Sequence, residues 1–145
     1  LTSGELLFRE VKGLHEVESI FWIALGLKGW SFDLDPQPHQ TRGCYLDMLG
    51  RLYFTPGYLY DGSSGPTIDG EADPVPSGVH DIFYEAIRQG LLSRKAKSTA
   101  DALYRDLLME RGMGRIRAYT RWVGLKLVGW TALKKGPQYP GRVAH

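Results

Sequence analysis

His80, Asp81, Tyr84 and Asp101, with the turn Asp61-Gly62 upstream, have the residue types a hydrolytic site needs. A histidine titrating near ~6.5 can carry a proton either way at neutral pH. Carboxylates can hold an imidazole or a hard cation. On a helix His80 and Asp81 sit ~100° apart, so they can address different partners in one cleft. Tyr84 lies one turn beyond His80, and Asp101 falls on the next helical segment. Each residue also has an ordinary reading. Asp81 sits in a helix first turn, where a carboxylate is favoured by the dipole. Ser98-x-x-Asp101 resembles a capping box. Asp61-Gly62 is a common turn pair, and His80 could be a satisfied buried histidine.

The elements that must position these residues can be read from period and punctuation. Gly4–Val11 has β character, and Gly29–Asp35 alternates with Trp30, Phe32 and Leu34 on one face. His15–Gly26 fits helix or strand equally by period. The prolines in 36–40 make a loop there. Cys44–Thr55 reads as a hairpin turning near Leu49-Gly50. Pro56–Ser77 holds four prolines and no apolar period, a long loop of a kind that often carries function. After Gly78 the period becomes helical: Val79, Ile82, Phe83, Ala86 and Ile87, with Gly90 able to end the helix. A second helix is expected over Ser98–Arg111 with Ala100, Leu103, Leu107 and Leu108 inward. A third is expected over Arg115–Lys134, with Ile116, Tyr119, Val123, Leu127 and Trp130 as its core stripe. A hairpin of the first two helices centred near Arg94 would set Asp106 or Leu107, rather than Asp101, opposite His80.

At 145 residues, with 43% hydrophobic and 23% charged content, the chain reads as one globular domain. Its parts are a strand-rich 1–55, a loop 56–77, a helical 78–135 and a tail 136–145. No apolar run is long enough to span a bilayer, and Leu1–Lys12 lacks the charge order and apolar segment of a secretory signal. One cysteine, Cys44, excludes an internal disulfide framework and reads as core. Charge is lopsided: 1–87 hold five Lys/Arg and thirteen Asp/Glu, whereas 88–145 hold thirteen and three. The basic half could meet phosphate, anionic lipid or an acidic protein, or be a solvated face. Arg115, Arg117, Arg121 and Lys126 with Trp122 and Trp130 could dock at a lipid interface, although such an aromatic stripe is more often core. No nucleic-acid module is visible, and no such partner is expected. The histidines 15, 39, 80 and 145 lack zinc-ligand spacing. A metal phosphohydrolase using His39 would need that residue on a helix.

The run GYLYDGSSGP, then HD at 80–81, then ADALY at 100–104, resembles an uncharacterised family of phage and prophage proteins that carries G-F-x-T-D-G-x-S-x-P, H-D and A-D. The match covers about Thr55–Trp122. The same core is similar to bacterial and fungal phospholipase A2, with its D-G-C-S loop, H-D-x-x-Y helix and following acid; Ser63 stands where that loop has cysteine. The second resemblance implies roles. His80 would be the general base for water, Asp101 would fix its tautomer, and Tyr84 would orient a neighbouring acid. Asp81, Asp61 and Gly62 would bind calcium, which would polarise an ester carbonyl. Asp69, Glu71 and Asp73 could add ligands or simply solvate a loop.

The expected fold is α+β: an N-terminal β-hairpin or small antiparallel sheet packed on a helical hairpin plus a third C-terminal helix. The expected function is a phage-type protein with a phospholipase A2-like His/Asp calcium site that hydrolyses a lipid ester at a membrane surface. The alternative is a non-enzymatic component that binds a phage particle or host protein. Host cytoplasm or virion fits better than a disulfide-stabilised secreted form.

Overall fold

The computed structural model describes residues 1–60 and 73–134. Seven strands precede three helices: β1 (Phe8–Val11), β2 (Leu14–Val17), β3 (Phe21–Ala24), β4 (Phe32–Asp33), β5 (Tyr45–Leu46), β6 (Arg51–Phe54), β7 (Leu59–Tyr60), α1 (Pro74–Arg88), α2 (Ala96–Glu110) and α3 (Arg115–Leu133). The class is α+β, as expected. Two antiparallel sheets form, in the orders β1-β2-β7 and β3-β6-β5-β4.

The ambiguous 15–26 stretch is two strands, not a helix. Glu18–Ile20 breaks it, sending Leu14–Val17 to pair with β1 and Phe21–Ala24 to pair with β6. Pairing across sheets decided what the local period could not. The expected 44–55 hairpin is present, with Tyr45 opposite Tyr53 and Leu46 opposite Leu52. Gly50 turns it at φ +91°, where a Cβ would also press on the Leu27 backbone. The 36–40 segment is a loop, and its glutamines do strand-like work. Gln37 exchanges bonds with the Leu59 backbone at 2.6 and 3.0 Å, and Gln40 donates to Thr55 Oγ1 at 2.7 Å. Cys44 is fully buried; burial pushes its thiol up to about 11, so it is core and not a nucleophile.

The long loop expected over 56–77 is corrected at both ends. Leu59 and Tyr60 form β7, and α1 begins at Pro74, four residues before Gly78. The reason is N-terminal capping. Asp73 accepts from Val75 N at 3.1 Å, and prolines in a first turn remove only donors that lack helical partners. Gly78 then lies inside the helix, where a Cβ would come within 3.0 Å of Phe54 Cζ. Its small size lets α1 approach the aromatic sheet face, and Phe83 meets Phe32 edge-on at 5.4 Å.

α1 ends in a Schellman motif: Leu91 N donates to Ala86 O and Gly90 N to Ile87 O, with Gly90 at φ +77°. This early turn shifts the helical hairpin. Asp73 at the start of α1 pairs with Arg111 at the end of α2, and His80 meets Asp101. The helices are therefore antiparallel about Leu91, not Arg94, which corrects the expected opposition of His80 to Asp106 or Leu107.

On α3 the expected core stripe is overturned. Ile116 is 83% and Leu127 77% exposed, and Tyr119, Val123 and Trp130 also face outward. The buried side is Ala118, Arg121, Leu125, Gly129 and Leu133. α3 is apolar on two faces, and small residues at 118 and 129 let that narrower side approach α1 and α2. Period reports that a stripe exists, not which of two stripes is covered.

Candidate functional site

The three helices converge on one buried carboxylate. α1 supplies His80 and Tyr84, one turn apart. α2 supplies Asp101 and, one turn earlier, Lys97. Asp101 Oδ1 lies 2.8 Å from His80 Nε2 and accepts from the Tyr84 hydroxyl at 2.7 Å. Oδ2 accepts from Lys97 Nζ at 2.7 Å, and the same ammonium donates to Leu125 O of α3 at 3.0 Å. Asp101 is 1% and His80 4% exposed. Gly129 of α3 caps the cluster: a Cβ there would collide with the Tyr84 hydroxyl and reach 2.9 Å from Lys97 Cε.

Charge within the cluster balances. Burial would raise the Asp101 carboxyl, but bonds from His80, Lys97 and Tyr84 hold it below its ordinary value. Burial lowers His80 below 6.5; Asp101 opposes this, while the charges of Lys97 and Arg88 add to it. The neutral ring therefore donates Nε2–H to Asp101 and presents Nδ1 as the basic nitrogen. Nδ1 has no hydrogen-bond partner among the described residues. Tyr84, raised by burial and by the Asp101 bond, stays a protonated donor. The His80 ring is held between Tyr84 at 4.0 Å and Tyr104 at 5.3 Å between centroids.

Asp101 is thus drawn into the cluster rather than spent on its own helix end. The capping-box reading fails because α2 begins at Ala96, and the Ser98 hydroxyl donates to Lys95 O instead. Asp81 sits beside His80 on α1, and its Oδ2 accepts from the buried Tyr58 hydroxyl at 2.5 Å. Asp61 and Gly62, the other expected calcium ligands, lie outside the described residues, as do Asp69 and Glu71. Asp73 is an N-cap paired with Arg111, so a metal-ligand role for it has a structural competitor. His39 is exposed on the 36–40 loop and not on a helix.

Calcium takes six to eight oxygens, and no group of three or more His, Cys, Asp or Glu that could hold a metal occurs among the described residues. Asp81 alone does not make a site for it. Lys97, Gly129 and the Leu125 carbonyl were missed in the sequence. Lys97 had a signal, its i,i+4 spacing to Asp101; Gly129 and Leu125 had none.

Among the described residues no helix is long and apolar enough to cross a membrane. The chain matches no protein-family model, no curated protein and no solved structure.

Proposed function

We propose that the chain is an ester hydrolase in which His80 is the general base and Asp101 its positioning partner. The observation that supports this is the 2.8 Å contact from Nε2 to a buried, ionised carboxylate, which leaves the basic lone pair on Nδ1. Water attacks the ester carbonyl carbon while Nδ1 takes its proton. The tetrahedral intermediate then breaks its bond to the alkoxy oxygen, and the proton on Nδ1 passes to that leaving group. Asp101 stays a carboxylate throughout and stabilises the transient imidazolium. Lys97 and Tyr84 keep Asp101 ionised and fixed. A lipid ester is the substrate class implied by the resemblance to phospholipase A2. Calcium, held by Asp81 with the 61–62 turn, would polarise the ester carbonyl; Asp81 is the only one of these ligands among the described residues.

The test is fatty-acid release from phospholipid vesicles, with and without added calcium, by the wild type and by His80→Ala. Release that disappears in the variant supports the reading; no release by the wild type, or equal release by both, removes it.

A second reading has its own observation, the near-complete burial of His80. In a non-enzymatic phage or host-interaction component the cluster would serve only to join three helices. That reading predicts no hydrolysis under any metal condition and a stable protein partner.

A further inference from the structure

A second feature adjoins Lys97 and Asp101. A cleft of about 440 Å³ opens between the start of α2 and α3, a size within the range of small-molecule sites. Its walls include Trp122 and Trp130, and its cations are Arg94, Lys95, Lys97 and Lys126. The one acid in its lining, Asp101, is already held by Lys97. Arg94, Lys95 and Lys126 are exposed, and none of them pairs with a carboxylate among the described residues. Lys126 Nζ sits 4.4 Å from the centroid of Trp122, and Lys97 Nζ 5.1 Å from that of Trp130. Cation–π contact holds both cations against the indoles; Lys97 is already spent on Asp101 and Leu125 O, whereas Lys126 keeps its donors open. One outer wall, Trp130, belongs to the exposed apolar side of α3, where Leu127 also lies.

We propose that this cleft binds a phosphate-bearing amphiphile. The phosphate lies among Arg94, Lys95 and Lys126, and the apolar body runs between the indoles onto the outer side of α3. Two features select this class. Three unneutralised cations around one opening favour an anion, and indole walls continuous with an apolar face favour a ligand with a hydrocarbon or aromatic part. A free ion would use the first feature only. The site is independent of whether His80 is a base.

Calorimetric titration tests it, using dihexanoyl phosphatidic acid kept monomeric below its micelle concentration. Saturable binding is expected, weakened about tenfold or more by Lys126→Glu and by Trp130→Ala. Both substituted residues are exposed, and unchanged melting temperatures confirm that the variants are folded. Dihexanoyl phosphatidylcholine and inorganic phosphate should each bind at least about tenfold more weakly. Binding to anionic vesicles in addition identifies a bilayer as a source of the ligand; binding to vesicles with none to the monomer overturns the cleft in favour of a membrane-docking face. Affinity for phosphate equal to that for the lipid, or equal binding by wild type and both variants, also overturns it. Loss of hydrolysis in His80→Ala and loss of lipid binding in Lys126→Glu and Trp130→Ala are separable results.

Discussion

Lys97 lies one turn before Asp101 on α2, and its ammonium holds Oδ2 at 2.7 Å, the oxygen that His80 does not use. This pairing contributes to the protonation state of the cluster, second to burial at His80 and beside the His80 bond at Asp101. Burial prevails over the pull of Asp101 on His80, and the charge of Lys97 adds to burial in keeping the ring neutral. Lys97→Met should therefore raise the His80 pKa, measured by NMR titration of the ring. Removing one member of a buried pair should also cost ~3–5 kcal/mol in denaturant unfolding. A His80 pKa that is unchanged or lower would contradict this electrostatic account.

Stability should depend on pH in a stated direction. The folded His80 pKa lies below its unfolded value of 6.5. Between those two values the unfolded chain binds more protons, so stability rises with pH. The contribution is complete above about 6.5 and is lost as pH falls through the folded pKa. Asp101, also lowered, adds a loss of the same sign below its ordinary 3.8. Urea unfolding from pH 7.5 down to 4.5 should show the decline, and His80→Gln should flatten its upper part. A wild-type curve that is level down to pH 4.5 would be inconsistent with a neutral buried ring.

Gly129→Ala has a diagnostic sign. At an unhindered helical position this change stabilises by ~0.4–1 kcal/mol. Here the added carbon meets the Tyr84 hydroxyl and Lys97. A destabilisation of ~1–3 kcal/mol is expected instead, together with a shifted His80 resonance. A more stable variant would mean that α3 does not sit on the cluster as described.

Tyr58→Phe removes the donor to Asp81 without changing shape. Because a charged acceptor loses a partner, thermal or urea unfolding should show a loss of ~1.5–3 kcal/mol. An effect near zero would mean that this bond adds nothing.

Much of this arrangement is legible in the sequence. The α+β class, the 45–54 hairpin, the inward face of α1 and the core role of Cys44 all follow from local pattern. His80, Tyr84 and Asp101 form a recognisable set in the sequence, although simple spacing places Asp101 off register. The reason is the Schellman turn at Gly90, which starts the return one residue after the C-cap, so Leu91 and not Arg94 is the centre. The helix start at Pro74 was obscured because prolines read as loop, yet in a first turn they carry no penalty. The exposed side of α3 could not be read at all. Ile116, Val123 and Leu127 have core spacing, and only the packing of Ala118 and Gly129 against the other helices shows that the opposite side is buried. The 61–62 turn, on which the calcium expectation depends, lies outside the described residues, so that expectation stands on Asp81 alone.

The most direct measurement of the central claim is the kcat/KM for fatty-acid release from phospholipid by the wild type, His80→Ala and Asp101→Asn, each confirmed folded by its melting curve. The account predicts measurable wild-type hydrolysis and a loss of ~10²–10⁴-fold without the general base, with Asp101→Asn also impaired. A wild type that releases no fatty acid, or a His80→Ala protein that releases it at the wild-type rate, would contradict the assignment of His80 as the base.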